Sequence, residues 1–360
     1  MLLDGGASVS VAGFRRTTQP VEGVAGCNVV NFGQTFNGGF IQRLVSVIKE
    51  IVFLKRYRHL FTDADVILAR NLEMLAIAVR GRSLCSKKPA IVYECLDIHR
   101  LLLGKGIVSN VLRNLEGWLS ARASALITSS PAFISGYFNT LSKVRLPIRL
   151  VENKVYPVPA IAPPPPRPSG PPWKIGWFGI IRCRKSLDIL SELVRQSNGA
   201  IEVIIRGRPA LDQFDDFHKT VSTTPGLKIS GPYKNPDDLA SIYNEVHFSW
   251  AIDMFEEGLN SSWLLPNRLY EGGLYSAVPI ALKEVETGKT LERMGIGVTL
   301  AHPLSASLAT FFSGLTADSY KTLEVTIVNK PTSTWACTQK DCIDLVEYFG
   351  TFLSRSHYGQ

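Results

Sequence analysis

Residues Glu257–Ala281 read EGLNSSWLLPNRLYEGGLYSAVPIA, and this order of residue types predicts a loop, then a helix, then the start of a strand. Asn260 and the two serines after it can satisfy the free N–H groups at the helix start. Pro266 suits a first helical turn, where no N–H is needed. Gly272 and Gly273 cost helix stability, which is tolerable where another backbone or a ligand comes close.

The helix predicted in this stretch carries one carboxylate of interest. Asn267 and Glu271 are four residues apart and share a face, with Arg268 three residues before Glu271. A carboxylate on an inward face can accept hydrogen bonds from two adjacent hydroxyls, such as those of a ribose. The alternative is a surface helix with an ion pair between Arg268 and Glu271. The residue types leave both interpretations open.

Length and composition indicate an ordinary globular protein of two domains. The chain has 360 residues, of which 45% are hydrophobic and 19% charged. It contains no apolar run of the roughly 18–20 residues that a membrane span needs. Its N-terminus lacks the residue order of a signal peptide. Six scattered cysteines without metal-ligand spacing favour reduced thiols in a cytoplasmic protein over a zinc site.

Charge is distributed unevenly along the chain. Residues 1–172 contain 21 Lys/Arg against 10 Asp/Glu, whereas residues 173–360 contain 18 against 21. Nucleic acid and anionic lipid are both partners that suit a basic half. The stretches Phe40–Arg58 and Leu101–Arg122 are basic and amphipathic. Each could lie on an anionic membrane surface or pack as a core-facing helix with a solvated basic back; the charge balance favours the membrane.

Strands and helices alternate along both halves, which predicts two Rossmann-like parallel-sheet domains. We expect an N-terminal domain over 1–156, a proline-rich linker over 157–172, a second domain over 173–335 and a terminal helix over 336–360 that packs back on the first. Met1–Asp4 resembles a helix end with a cap at the following glycines. The first strand and helix of the N-terminal domain are therefore expected to be missing from this sequence.

A basic loop between a strand and a helix predicts an anion site in the second domain. Gly179 lets another backbone or a ligand approach closely, and the following helix start points N–H groups at an anion. The cations of this loop and of the next strand end are Arg182, Arg184, Lys185, Arg206 and Arg208. Basic surface turns are the alternative. Neither the phosphate-loop nor the dinucleotide glycine signature is present.

Polar residues also cluster after strands of the first domain. Glu94, Asp97 and His99 follow one predicted strand and could supply a general base or hold a hydroxyl. Asn71 and Glu73 follow the preceding strand and could line the same site. The D-x-D spacing of Asp63-Ala-Asp65 lies at the opposite end of its strand, which argues against a metal site there.

Four stretches together resemble GT-B glycosyltransferases of family 4, and particularly bacterial exopolysaccharide enzymes of the succinoglycan-synthesis type. They are IGWFGIIRCRKSLDIL, YECLDIHRLLLG, ITSSPAF and LLPNRLYEGGLYSAVPIA. The resemblance covers nearly the whole chain and is most specific over 175–190 and 257–281. It implies two Rossmann-like domains that face a cleft.

The resemblance also implies roles for particular residues. Glu271 would hold the ribose of a nucleotide-sugar donor, and Arg184 with Lys185 would hold its diphosphate. Asn260, Asn267 and Arg268 would shape the donor pocket, and no metal or other cofactor is expected. Many members have a second glutamate where this chain has Trp263. Retention or inversion of the sugar's stereochemistry therefore stays open.

The expected activity is transfer of a hexose from a UDP-sugar to a lipid-linked oligosaccharide at the inner face of the cell membrane. In an inverting reaction Asp97 would deprotonate the acceptor hydroxyl, with His99 or Glu94 as alternates. Two other functions fit parts of the sequence. A UDP-sugar epimerase also has two such domains, and a non-catalytic nucleic-acid-binding protein would explain the basic half alone. No recognised nucleic-acid-binding motif is present, so nucleic acid is not an expected partner.

Overall fold

The computed structural model describes residues 1–15, 24, 26–35, 40–157 and 167–353, without the side chains of residues 40 and 41. The chain forms two compact units. The N-terminal unit comprises Met1–Val151 together with Gln339–Gln360, and the C-terminal unit comprises Glu152–Thr338. The chain thus passes between units at residue 151, before the proline-rich stretch. Residues 158–166 of the expected linker lie outside the described part of the chain.

The N-terminal unit contains six strands in two sheets, and every observed pairing is parallel. The strands are β1 Ser10–Arg15, β2 Asn28–Gln34, β3 Val66–Arg70, β4 Ala90–Cys95, β5 Ala125–Thr128 and β6 Ile148–Leu150. Its helices are α1 Phe40–Phe53, α2 Arg58–Thr62, α3 Asn71–Ser83, α4 Arg100–Leu103, α5 Ile107–Ser120 and α6 Pro131–Phe133.

The two sheets of this unit are a β1-β2 pair and a four-stranded sheet in the order β3-β4-β5-β6. The apolar strand β5 is buried throughout, as expected for a parallel strand covered on both faces. The run DVILA at Asp65–Ala69 also predicts a buried parallel strand, but only Ala69 of β3 is buried. That expectation was wrong because β3 is the last strand at one end of its sheet.

The C-terminal unit contains one six-stranded parallel sheet. Its strands are β7 Trp173–Ile181, β8 Ile201–Pro209, β9 Leu227–Ile229, β10 Phe248–Trp250, β11 Val278–Leu282 and β12 Val298–Leu300. Its helices are α7 Arg184–Gln196, α8 Phe217–Ser222, α9 Leu239–Asn244, α10 Asn267–Leu274, α11 Glu286–Met294, α12 Leu304–Ser313 and α13 Ala317–Val328. The last helix of the chain, α14 Gln339–Gly350, packs in the N-terminal unit through Leu345 and Phe349.

Strand order in the C-terminal unit is β12-β11-β10-β7-β8-β9, the doubly wound arrangement. The chain winds outward from β7 to β9 and then returns to β10 on the other side. The order therefore reverses between β7 and β10. Ligands of such sheets bind outside the carboxyl ends of the strands at this switch point. We therefore expect a ligand site at the loops that follow β7 and β10.

Both basic amphipathic stretches of the N-terminal unit expose a row of apolar side chains, although Val47, Leu54, Leu102 and Leu119 are buried. On α1, Leu44, Val45, Ile48 and Val52 are 47–64% exposed, whereas Glu50 is buried. Helical spacing puts these four apolar residues on one face. The alternative of an ordinary core-facing helix with a solvated basic back is therefore wrong for this part of α1.

The second stretch is divided into α4 and α5. Like α1, α5 exposes apolar side chains and buries charged ones. Its exposed apolar side chains, which we call the α5 face, are Ile107, Val108, Val111, Leu115 and Trp118. Its buried side carries Arg113, which donates to the carbonyls of Leu102 and Gly104 at 2.7 and 2.8 Å. Glu116 is fully buried beside it. Arg113 is thus a structural contact within the unit and takes no part in a basic surface.

Two glycines allow the central strands β7 and β8 to approach each other. Gly179 and Gly207 are paired in register and have φ values of +106° and +137°. A Cβ on Gly207 would lie 1.8 Å from the Gly179 carbonyl oxygen. This contact is with backbone, which cannot move aside without disturbing the sheet.

We expect Gly207→Ala to lower the free energy of unfolding of the C-terminal unit by about 1–3 kcal/mol, because the variant combines a left-handed φ with a backbone clash. Urea unfolding followed by the fluorescence of buried Trp173, Trp177 and Trp250 measures this loss. The matched change Gly350→Ala, whose Cβ would meet nothing within 4 Å, should leave the transition unchanged. Equal stability of the two variants would refute the packing argument.

Candidate functional site

The loop after β7 leads directly into α7 at the switch point. The Cys183 sulfur accepts a hydrogen bond from the backbone N–H of Ser186 at 3.4 Å and so caps the helix. Arg184 and Lys185 occupy the first helical turn. A Cβ built on Gly179 meets nothing within 4 Å, so the space beside this strand end is open. Free helix N–H groups and cations beside open space are features that suit an anion.

Each of the three cations in this loop has an acidic neighbour. Arg184 forms a two-point pair with Asp215, and Lys185 pairs with Glu257. Arg182 lies 3.8 Å from Asp253. Arg184 and Lys185 are more than half exposed, and the attraction within exposed pairs is weak. A diphosphate with a higher charge could therefore replace these carboxylates.

The loop after β10 is held by its own hydroxyl groups. Ser261 donates to Asp253 at 2.9 Å and accepts from the Glu256 N–H at 2.9 Å. Residues 260–262 form a separate short 3-10 turn. They were expected to cap the following helix, and this was wrong because α10 begins later, at Asn267. Pro266 is its N-cap, just outside the first turn.

Glu271 is buried on α10, with 5% of its surface exposed. It accepts hydrogen bonds from the Asn235 side-chain amide at 2.9 Å and from the Tyr243 hydroxyl at 2.8 Å. The alternative of a surface ion pair with Arg268 is therefore wrong. Burial raises the pKa of Glu271, and its two hydrogen bonds and nearby Arg268 offset part of this shift.

Aromatic packing connects Glu271 to the end of β7. Phe178, which precedes Gly179, packs edge to face against Tyr243 with ring centroids 4.9 Å apart. It also contacts Tyr233, at 6.4 Å. Each carboxylate oxygen of Glu271 has a second lone pair available. The carboxylate can therefore accept from a bound hydroxyl without giving up its present partners.

The glycine pair of α10 allows close packing within the protein. A Cβ on Gly272 would lie 2.7 Å from the Ser249 side chain, and one on Gly273 would lie 2.2 Å from the Trp335 ring. The expected close approach is thus present, and it involves neighbouring side chains of the C-terminal unit.

The remaining residues expected at the donor site differ in their exposure and in their contacts. Arg206 pairs with Glu245 at 3.1 Å, whereas Arg208 two residues on is exposed. Asn260 is buried, Asn267 is exposed, and Arg268 is intermediate and close enough to Glu271 to influence it. Trp263, at the position of the second family glutamate, is partly exposed.

At the carboxyl ends of β3 and β4, the N-terminal unit gathers a second polar cluster. Arg70 donates to Glu94 at 2.5 Å, and Glu73 pairs with Arg43 of α1. Asn71 adopts a left-handed backbone with φ +67°, and its buried Oδ1 has no hydrogen-bond partner among the described residues. A strained backbone and an unsatisfied polar atom are both typical of functional sites.

Asp97 and His99 lie in the exposed turn after β4. The His99 Nδ1 accepts from the Leu101 N–H at 3.3 Å and caps α4. Burial and nearby Arg43 lower the pKa of His99, which favours the neutral ring. In that state the proton lies on Nε2, so this nitrogen is a donor and is unsuited to accept a proton.

The D-x-D stretch has an ion pair of its own. Asp65 pairs with Lys87 at 2.6 Å. Within the described ranges, no three His, Cys, Asp or Glu side chains lie close enough to hold an ion.

Several residues that contact the expected site residues could not be recognised from the sequence. Tyr243, which holds Glu271, lies 28 residues away in a different helix. Asp215 and Asp253 carried no spacing signal that would pair them with arginines. Only Glu257, within the acidic run before the predicted helix, could have been suspected as a local counter-charge.

Solved structures share the whole architecture. Sucrose-phosphate synthase from Thermosynechococcus elongatus matches with a TM-score of 0.75 at 12% identity, covering 98% of this chain and 91% of that one. Anabaena Alr3699/HepE in complex with UDP and glucose matches with a TM-score of 0.62 at 16% identity, covering 91% and 86%. WaaG, a glycosyltransferase involved in lipopolysaccharide biosynthesis, matches with a TM-score of 0.59 at 10% identity, covering 96% and 92%. The chain has the GT-B fold of glycosyltransferases.

A sequence relative defines the family. The succinoglycan biosynthesis protein ExoL of Rhizobium meliloti (strain 1021) is 46% identical over 360 residues, covering 97% of this chain and 88% of that protein. The chain therefore belongs to the ExoL family and is a glycosyltransferase of exopolysaccharide synthesis. No protein-family model matches it. The epimerase and nucleic-acid-binding alternatives are not favoured by these relatives.

No helix in the described part of the chain is long and apolar enough to cross a membrane.

The raised pKa of Glu271 predicts a pH dependence of stability. A carboxyl whose folded pKa exceeds its unfolded value stabilises the fold below the unfolded pKa, and this contribution is lost as pH rises through the folded pKa. The C-terminal unit of the native protein should therefore gain stability relative to the Glu271→Gln variant as pH falls from 7 to about 4. Urea unfolding at each pH gives the difference. Parallel profiles would contradict the assignment, and Glu192→Gln, at a half-exposed site, serves as the control.

Proposed function

We propose that this protein transfers a hexose from a UDP-sugar to a lipid-linked oligosaccharide in exopolysaccharide synthesis. The observation that carries the proposal is the buried Glu271 carboxylate, held on α10 beside the open end of β7. Buried charges need partners, and among the described residues Glu271 accepts hydrogen bonds from two neutral groups, on Asn235 and Tyr243, with Arg268 nearby. A ribose diol would add the two further donors that its oxygens can accept.

The diphosphate of the donor would bind at the start of α7. Arg184 and Lys185 would exchange Asp215 and Glu257 for phosphate oxygens, and the first N–H groups of the helix would add hydrogen bonds. These contacts stabilise the charge that develops on the departing diphosphate. The Anabaena HepE protein, which shares this fold, was solved with UDP and glucose, and this supports a UDP-sugar as donor. No metal is required for this arrangement.

The acceptor would be bound by the N-terminal unit. Asn71 and Glu73 would contact the acceptor sugar, and Asp97 would deprotonate its hydroxyl if the reaction inverts the donor's stereochemistry. Exposure of Asp97 leaves it accessible to an incoming hydroxyl. Glu94 is a weaker alternative because its carboxylate already pairs with Arg70. Many family members have a second glutamate at the position of Trp263. A retaining mechanism that uses this glutamate would find no carboxylate there in this chain.

The protein would work as a peripheral protein on the cytoplasmic face of the cell membrane. The α5 face is apolar over three helical turns and carries Arg122 stacked on Trp118, with 3.9 Å between the guanidinium carbon and the ring centroid. Lys105 lies just before the helix. An apolar face bordered by cations is the arrangement by which helices bind anionic lipid surfaces. The exposed stripe of α1 adds a second such face.

Donor binding tests the first part of the proposal. We expect Lys185→Ala to raise the Kd for UDP about tenfold or more, because a hydrogen bond between charged groups contributes about 1.5–3 kcal/mol. Glu271→Ala should abolish turnover chiefly through the loss of donor affinity. Isothermal titration with UDP and with the UDP-sugar measures both effects.

A second exposed lysine serves as the control for Lys185. It tests whether the loss of UDP affinity comes only from the loss of one positive charge. Lys228 is exposed and pairs with one glutamate in the same unit, as Lys185 does. Lys228→Ala should leave UDP affinity unchanged. Near-normal affinity for the UDP-sugar in a folded Glu271→Ala protein would reject the donor site.

Membrane binding is tested on the α5 face. We expect Val111→Asp to reduce binding to vesicles of phosphatidylglycerol and phosphatidylcholine by at least about tenfold, since the change removes about 1.5 kcal/mol of apolar burial and adds a repelled charge. Vesicle co-sedimentation at low and high salt measures this.

Val328 provides the control, because it is 59% exposed on the C-terminal unit and Val111 is 58% exposed. Val328→Asp should bind vesicles like the native protein. Equal losses in both variants, or no binding by the native protein, would remove the α5 face from the proposal.

A further inference from the structure

A pocket lies in the C-terminal unit between α10, α11 and the turn that follows α13. Its volume is about 390 Å³, within the range of about 300–1,000 Å³ that is typical of sites for small molecules. We call it the α10–α11 pocket. Its polar walls are formed by Glu152, Lys154, Tyr270, Thr290, Arg293 and Lys330. The described residues that line it include none of those expected at the donor site, so the two sites are distinct.

Two cations of the α10–α11 pocket are fixed by hydrogen bonds and still have N–H groups to offer. The Lys154 Nζ donates to a backbone carbonyl at 2.7 Å, and an ammonium has three N–H donors in all. The Arg293 Nη2 donates to Glu286 at 2.9 Å and to Thr290 at 2.7 Å. A guanidinium has five N–H donors, so its other two nitrogens can bind a ligand.

Lys330 adds a third cation, which no carboxylate neutralises. It is partly exposed, and no acidic side chain of the described residues lies within ion-pair distance of its ammonium. Lys321, on the preceding helix, pairs instead with Glu324 at 2.7 Å. The three cations of the pocket face only Glu152 and the partner of Arg293, so one positive charge is in excess. This charge balance favours an anionic ligand.

The hydroxyl group of Tyr270 is a second unsatisfied group in this pocket. The side chain is only 4% exposed, and within the described part of the chain its hydroxyl makes no hydrogen bond. Glu152 lies near it, but not in hydrogen-bonding geometry. Burial and then Glu152 raise the pKa of Tyr270, so the hydroxyl keeps its proton and can donate. Buried polar groups without partners are uncommon, and a bound ligand is one explanation for them.

We propose that the α10–α11 pocket binds the phosphate monoester of a sugar. Lys154, Lys330 and Arg293 would hold the phosphate oxygens through charge-assisted hydrogen bonds. A phosphate monoester carries about 1.5 to 2 negative charges at pH 7, which would balance the excess positive charge. Tyr270 would donate to a sugar hydroxyl and Glu152 would accept from one. Inorganic phosphate and a free sugar would each satisfy only one part of the pocket.

Isothermal titration with glucose 6-phosphate tests this pocket, with UDP in excess so that the proposed donor site is filled. We expect a Kd at least about tenfold lower for glucose 6-phosphate than for inorganic phosphate, since only the first ligand uses both parts of the pocket. Free glucose should show no binding at the same concentrations. No binding of glucose 6-phosphate up to about 10 mM, or equal affinity for inorganic phosphate, would overturn the proposal.

The unpaired lysine provides the sharpest variant. We expect Lys330→Ala to raise the Kd for glucose 6-phosphate at least about tenfold, because it removes a hydrogen bond between charged groups. Lys321→Ala is the control, since Lys321 is exposed and already paired, and it should bind like the native protein. Both variants should unfold at the temperature of the native protein. Equal Kd values in the two folded variants would reject the phosphate part of the pocket.

Two conservative changes test the sugar part. Tyr270→Phe and Glu152→Gln keep the shapes of the side chains, and each should raise the Kd for glucose 6-phosphate about fivefold or more. Neither should raise the Kd for inorganic phosphate. A rise for both ligands, or for neither, would overturn the assignment of these residues to sugar hydroxyls. The titrations require no sugar donor and no turnover, so failure here and failure of the proposed reaction are distinguishable.

Discussion

The hydrogen bonds to the Glu116 carboxylate determine how the N-terminal unit presents its surface. Tyr93, Tyr137 and Ser142 donate to it at 3.0, 2.6 and 2.8 Å. A buried carboxylate without such partners would be costly, and with them it fixes the rotation of α5. The polar side of the helix is held inward, so the residues of the α5 face point outward. The proposed membrane surface therefore follows from the hydrogen bonds that the buried Glu116 carboxylate needs in the core.

In the C-terminal unit the corresponding constraint is the reversal of strand order between β7 and β10. It brings together two loops that are about seventy residues apart in sequence, and the Lys185–Glu257 and Arg182–Asp253 pairs connect them. The acidic partners act as counter-ions that keep the cations placed in the absence of phosphate. In the proposed donor complex, phosphate oxygens would take the place of these carboxylates, so the cations would already be in position.

Local sequence patterns predicted the strands and helices of this fold well. They did not predict which residues distant in sequence contact one another. The alternation of strands and helices indicated two parallel-sheet units, and the sheets observed are parallel. The expectation for β3 failed because burial depends on which strands lie beside it, which no single segment encodes. The residue types left open whether Glu271 faces inward, and its burial depends on Asn235 and Tyr243, which lie elsewhere in the chain. The inward side of α5 was missed because Arg113 and Glu116 are residue types that usually face water.

The chain completes the N-terminal unit with its last helix, after the whole C-terminal unit has been made. Leu345, Phe349 and Phe352 pack against β4 and β5, which lie more than 200 residues earlier in the sequence. Domains generally fold as units during synthesis, the N-terminal one first. On the ribosome this protein must reverse that order. The first unit therefore keeps part of its core open until the C-terminal unit and α14 have both been translated.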